Sequence, residues 1–213
     1  MRFAPYIMLL ASIVLSIYFY SYMPQNIASH WNAAGEADGY MPKYSIFFFP
    51  ALILIVNLIF EGARKIDPLS ANNKPELYFT FASIISIFML YVHMISIAWN
   101  ILKFNFTQLM IPGISVLFFL IGTLLSTANR NWFIGVRTPW TMQSDSVWQK
   151  THKATGKVFQ VIALIWLAGL LYPEFAILFI VATLPFAVVF AVGYSYIEYE
   201  KEKKIGKRKI SKK

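Results

Sequence analysis

Six runs of this chain are apolar for about as long as a lipid bilayer is thick, and that limits what the chain can fold into. A helix rising about 1.5 Å per residue needs roughly 20 apolar residues to cross a hydrocarbon layer roughly 30 Å thick. The runs lie near Phe3–Tyr22, Ser45–Phe60, Leu77–Trp99, Leu109–Thr127, Val158–Leu171 and Phe175–Tyr196. They are continuous rather than alternating and far longer than barrel strands, so they predict helices. With 58% of residues hydrophobic and 14% charged, the chain also departs from a soluble domain, where charged residues make up about a quarter. The expected fold is all-α, a polytopic transmembrane helical bundle of six spans. The second and fifth spans are short, and Tyr172-Pro173-Glu174 predicts a tight break that makes the last two a helical hairpin.

Charge placement orients the bundle. With both termini in the cytoplasm, the loops on that side hold 17 of the 19 Lys and Arg residues, and only Lys43 and Lys103 fall outside. That is the asymmetry expected of cytoplasmic loops, and an odd number of spans would scramble it. Eight of the basic residues lie in the last 13 positions, so the net charge of +9 reads as a membrane anchor for anionic lipid rather than direct contact with nucleic acid. The chain has no cysteine, which excludes disulfides, thiolate metal sites and thiol catalysis. The first run follows a single Arg2 and no small-residue cleavage site closes it, so it is expected to be a retained span.

None of the ten acidic residues falls inside a predicted span. Coupled transporters that use an intramembrane carboxylate usually show one, because burying it costs about 2.5–3.5 kcal/mol. The third span instead carries Ser83, Ser86, His93, Ser96 and Asn100 on one helical face. Either this stripe faces the bundle and His93 bonds to another helix, or His93 senses protons or coordinates an ion. Gly122 and Ser126 form a small-xxx-small pair suited to close helix packing.

Two loops exceed simple connections. The outer one reads M-P-Q-N-I-A-S-H-W-N-A-A-G-E-A-D-G-Y-M-P-K, residues 23–43. Pro24 is expected to begin a short interfacial helix carrying Ile27, His30 and Trp31, ended by Gly35 and Gly39 with Asp38 in a turn. Trp31 and Tyr40 would then sit at headgroup depth. His30, Glu36 and Asp38 fit no standard zinc spacing, and no metal or other cofactor is expected. The inner segment contains N-W-F-I-G-V-R-T-P-W-T, residues 131–141, then V-W-Q-K-T-H-K-A-T-G-K, residues 147–157. Ser144 predicts an N-cap with Asp145 in the first turn, opening a short helix that sets Trp148 beside His152. Gly156 would end it or hinge it into the fifth span. Trp132, Trp140 and Trp148 are expected as interfacial rings. Arg137, before the Thr138-Pro139 turn, offers a fixed guanidinium for a phosphate or carboxylate.

H-W-N-A-A-G-E-A-D-G-Y after M-P resembles the front module of the bacterial SdpI family, a membrane domain of unknown function. The inner segment resembles that family's C-terminal signature, and the resemblance runs over roughly residues 10–190. It implies an immunity protein of the plasma membrane that protects against a secreted, membrane-active peptide toxin and, receptor-like, holds a cytoplasmic repressor at the membrane. It implies no enzyme activity. The positions that match the family are Pro24, His30, Trp31, Asn32, Gly35, Asp38 and Gly39 outside. Inside they are Asn131, Gly135, Arg137, Thr138, Pro139, Trp148, His152 and Gly156. On this reading residues 1–66 form a two-span module, 67–197 a four-span module and 198–213 a basic tail. Two other readings compete: a membrane enzyme acting on lipid or cell-wall precursors through Arg137 and His152, and a small transporter or channel built around His93.

Overall fold

A computed structural model describes residues 2–172 and 175–210. The break expected at Pro173–Glu174 and the last three residues of the basic tail lie outside the described residues. The described chain is a helical bundle with one small hairpin. Its elements are α1 (Ala4–Tyr20), β1 (Asn26–Trp31), β2 (Ala37–Pro42), α2 (Phe48–Ile66), α3 (Glu76–Leu102), α4 (Phe106–Leu125), α5 (Pro139–Gln143), α6 (Asp145–Leu167) and α7 (Ala176–Ile210). Each predicted span falls on one long helix. Five of these, α2, α3, α4, α6 and α7, with short flanking turns on α2 and α6, are long and apolar enough to cross a bilayer, and α1 is shorter at 17 residues.

The bundle is inside-out relative to a soluble protein. In α1 the buried residues are Pro5, Ser12 and Ser16. On its outer surface Leu10 is 62% exposed and Ile17 is 63% exposed. In water that arrangement would waste the hydrophobic effect. Against lipid tails, small and polar residues pack the interface and aliphatic ones face outward. The stripe on α3 faces inward as its spacing predicts, and Ser83, Ser86, His93, Ser96 and Asn100 are all buried. His93 shares a hydrogen bond with Ser12 of α1 through Nδ1 at 2.8 Å, and its ring stacks on Phe49. Ser86 donates to Asn57 of α2, whose amide donates to the Pro5 carbonyl of α1. The stripe is therefore what ties α1, α2 and α3 together.

The second half is built on glycine. Helices α4, α6 and α7 pack in sequence, and Gly122 of α4 meets Gly156 of α6. A Cβ on either glycine would fall well inside contact distance of the other's carbonyl oxygen, so the two backbones touch. Ser126, the partner expected for Gly122, is exposed and takes no part in the contact. Gly156 is therefore neither an end nor a hinge: α6 runs unbroken from Asp145 to Leu167, and close approach of two helices explains the residue. This also makes the fifth span longer than its apolar run suggests.

The outer loop differs from expectation as well. It is not a short helix from Pro24 but an antiparallel hairpin, pairing Ala28 with Tyr40, His30 with Gly39 and Trp31 with Ala37 across bulges. The reason lies at its tip. Gly35 takes φ +80°, where other residues are strained, and Asn32 closes the turn by accepting from the Glu36 N–H through its side chain.

Candidate functional site

The family-matching positions gather at two ends of the bundle. At the hairpin end, the tip sits on the α3–α4 connection. Asn105 donates to the Ala34 carbonyl at 3.1 Å, and a Cβ on Gly35 would collide with the Asn105 side chain. Trp31 stacks flat on Phe106 with ring centroids 3.7 Å apart and meets Trp99 edge-on. Trp31 therefore packs on protein instead of floating at headgroup depth, whereas Tyr40 is 58% exposed. Gly39 lies opposite His30, where a Cβ would stand 2.9 Å from the His30 Cβ. His30 pairs with Asp38, Nδ1 to Oδ1, at 2.5 Å. The structure thus brings His30, Trp31, Asn32, Gly35, Asp38 and Gly39 into one hairpin, while Pro24 lies exposed at its entrance. Asn100 anchors the hairpin to α3 by accepting from the Ala28 N–H at 2.9 Å.

At the opposite end, the segment before α6 forms a knot around two buried groups. Asn131 is fully buried and satisfied: its carbonyl oxygen accepts from the Phe133 and Ile134 N–H groups, and its amide donates to the Asn129 and Ile134 carbonyls. The tight turn that follows needs Gly135 at φ +116°, over the imidazole of His152. His152 Nε2 accepts from the Val136 N–H at 2.9 Å, and Nδ1 donates to the Trp148 carbonyl at 2.8 Å. These two bonds specify the neutral tautomer with the proton on Nδ1.

Trp148 stacks on His152 at 3.9 Å and donates from its indole to the Ala128 carbonyl. It is wholly buried, so it is a core strut and not an interfacial ring. Trp132 is exposed and Trp140 half-buried against Tyr196.

Thr138 N-caps α5 in a reciprocal capping box with Thr141 and places Pro139 in the first turn. Its hydroxyl also donates to Ser195 of α7. Ser144 caps α6 as its position predicts and donates to Glu202 of α7. Asp145 pairs with Arg130 at 2.9 Å. Arg137 bonds back to the Trp132 carbonyl, which holds its exposed side chain across the turn.

Sequence reasoning passed over Asp67. This buried carboxylate, just past α2, accepts from Tyr78 at 2.5 Å and from the Trp132 and Leu69 N–H groups. It fastens the knot to the start of α3. The available signal was a lone acid directly abutting an apolar helix. Asn100 at the hairpin end was read only as one of a polar stripe. Tyr78 and Asn100 stand on the same unbroken helix, and at about 1.5 Å per residue the two ends are separated by roughly 33 Å, close to the hydrocarbon thickness of a bilayer.

Comparison with known proteins matches both ends. The domain of unknown function DUF1648 matches residues 7–54, which span α1, the hairpin and the start of α2. The SdpI/YfhL protein family matches residues 127–196, from the knot into α7. The immunity protein SdpI of Bacillus subtilis (strain 168) is 28% identical over 193 residues, which is 89% of this chain and 91% of that protein. No solved structure matches. The long apolar helices and this likeness make the protein a multi-pass protein of the cell membrane. With both segments present in order and the likeness running along nearly the whole chain, the protein is similar to the SdpI/YfhL family at both ends of its bundle.

Proposed function

We propose that this protein is a membrane immunity protein: it gives its cell resistance to a secreted, membrane-active peptide toxin through a receptor-like change at the hairpin end. The observation that carries this reading is the likeness to an immunity protein over 89% of the chain, which takes in both ends. The membrane arrangement that suits it is six crossings with both termini cytoplasmic. It is supported by the 17-to-2 division of basic residues and by the roughly 33 Å between the ends along α3. Residues 1–66 then carry the toxin-facing module, 67–197 the four-span module with the knot, and 198–213 a basic tail on anionic lipid. Exposed Trp132, Phe133 and Arg137 give the cytoplasmic end an aromatic and cationic surface for a repressor.

The chemistry of the knot supports a non-enzymatic role. Both ring nitrogens of His152 are engaged by backbone groups, and the carboxylate of Asp145 is paired with Arg130. A general acid–base pair needs a group free to exchange its proton with substrate. His93 is bound to Ser12 and stacked on Phe49, which gives it a packing role in place of a transport one.

Survival of a toxin-sensitive host expressing the chain, challenged with membrane-active peptides, tests the proposal. Protection that is lost in a His30→Ala/Trp31→Ala variant still inserted in the membrane is the expected result. A wild-type chain that protects against none of the peptides would overturn it. Ala33→Cys and Gln143→Cys, probed with an impermeant thiol reagent, should label from opposite sides.

A further inference from the structure

Among the described residues, the two halves of the bundle do not close at the hairpin end. Helices α1 and α2 pack on α3, while α6 packs on α4 and α7 packs on α6. Between the halves lies a cleft of about 580 Å³, within the range of pockets that bury a substantial ligand. Its walls are chemically sorted. One wall is aliphatic, formed by Ile111 and Ile114 of α4 with Ile177 and Ile180 of α7, and Ile177 stands exposed at the mouth. The rim is polar, formed by Ser29, His30 and Asn32 of β1 and Thr107 of α4. Trp31 also lines it, and its indole N–H is buried without a hydrogen-bond partner. A buried donor left unpaired costs about 1–3 kcal/mol, so a turn of the indole that opens this N–H to a ligand's acceptor recovers what the empty cleft forgoes.

Charge decides which amphipathic ligand fits. The rim residue His30 is held by Asp38, and Asn32 is bonded to Glu36, so two carboxylates stand directly behind the rim. The basic residues at this end, Lys43 and Lys103, do not line the cleft and lie over aromatic rings, 4.6 Å from the centre of Tyr20 and 3.9 Å from that of Trp99. A rim backed by carboxylates repels a phosphate headgroup and attracts an amine.

We infer that this cleft binds the apolar segment of a peptide whose polar end carries an amino group or lysines. The aliphatic side chains lie between α4 and α7, a turn of the Trp31 indole offers its N–H to a peptide carbonyl, and the cation sits beside Asp38 and Glu36. This rests on the immunity reading, for which it names the docking site and the chemistry of the toxin.

The test uses the full chain in phosphatidylcholine nanodiscs, with empty nanodiscs as baseline. The probe is a dansyl-labelled Leu/Ala peptide with a free amino terminus and a lysine pair. Comparators are the same peptide acetylated and carrying glutamates, and lysophosphatidylglycerol as competitor. Saturable binding of the cationic peptide is expected. It should weaken about tenfold or more in Ile177→Trp, which fills the mouth, and in Glu36→Gln/Asp38→Asn, which removes the charge. Equal binding by an Ile177→Trp protein of unchanged thermal midpoint overturns the site. So does displacement by lysophosphatidylglycerol, which would mark a lipid groove, and so does preference for the acidic peptide. Host survival separates the two levels. If the wild type protects and Ile177→Trp protects equally, the cleft fails and immunity stands. If the cleft binds the cationic peptide as described and the wild type never protects, the peptide site stands and immunity fails.

Discussion

Two substitutions at His152 isolate the bond that holds the knot. Leucine matches the imidazole in bulk but offers no acceptor to the Val136 N–H. Glutamine also gives up the stacking on Trp148, yet its amide oxygen reaches the position of Nε2 and accepts that N–H. The leucine-to-glutamine difference therefore reports the hydrogen bond without the stacking. The Val136 bond is partly buried, so the loss belongs in the lower half of the usual range, about 1–2 kcal/mol. At about 1.4 kcal/mol per factor of ten, that raises the population of the opened loop roughly 5- to 30-fold.

Arg137 lies within the loop and is exposed, which makes tryptic cleavage after it a direct readout when opening is fast relative to cutting. The expected result in detergent is His152→Leu cut roughly 5- to 30-fold faster than His152→Gln, with intact helices in both. Acid acts in the same direction on the wild type. A proton on Nε2 replaces the acceptor with a donor facing the Val136 N–H, so wild-type cleavage speeds up as pH falls, relative to a free peptide substrate, while His152→Gln does not follow. Leucine and glutamine variants cut at the same rate to within about twofold would refute the assignment of His152 as the latch.

Other substitutions probe the remaining supports. Gly156→Val should lower the thermal midpoint in detergent by an amount equivalent to about 1–3 kcal/mol or more, because its side chain must part α4 from α6 at Gly122; an unchanged midpoint would mean the helices do not touch there. Asp67→Ala strands the Tyr78 hydroxyl and the Trp132 and Leu69 N–H groups, and should cost about 2–4 kcal/mol, with Asp67→Asn recovering part of it. Equal midpoints for alanine and wild type would remove Asp67 from the knot.

The long apolar helices, the inward polar stripe of α3 and the cap at Ser144 could be read from residues alone. Each is a local or periodic property: length against bilayer thickness, spacing along one helix, a side chain bonding three residues on. The failures share a different cause. Gly156 looked like a helix end because glycine breaks isolated helices, and only the backbone of Gly122, on another helix, makes it a packing residue. Trp148 looked interfacial by composition, and its burial depends on the Ala128 carbonyl twenty positions earlier. The hairpin was hidden by Pro24 and by weak alternation in N-I-A-S-H-W, and its register is set by a tip seated on the α3–α4 connection. Asp67 carried no pattern, since its partners come from three separate segments.

The family matches stop short of the part of the chain that connects them. Residues 7–54 and 127–196 match, whereas all of α3 and α4 lies between. Yet α3 receives the hairpin through Asn100 and the knot through Tyr78, and α3 and α4 carry the principal packing between the halves. On the proposed reading, recognition at the hairpin end and response at the knot need different surfaces, and the matched segments supply them. Transmission needs only a stiff element gripped at both ends. The requirements on such an element are helix length, a buried polar face and a place for each loop to bond, and many sequences meet them. The cleft lies where the two halves are least joined, with Phe49 and Val92 on one side and Ile177 and Ile180 on the other. On the proposed receptor-like reading, a ligand wedged there pushes on the α3–α4 contact and on α3 itself, the helix that bonds to the hairpin through Asn100 and to the knot through Tyr78.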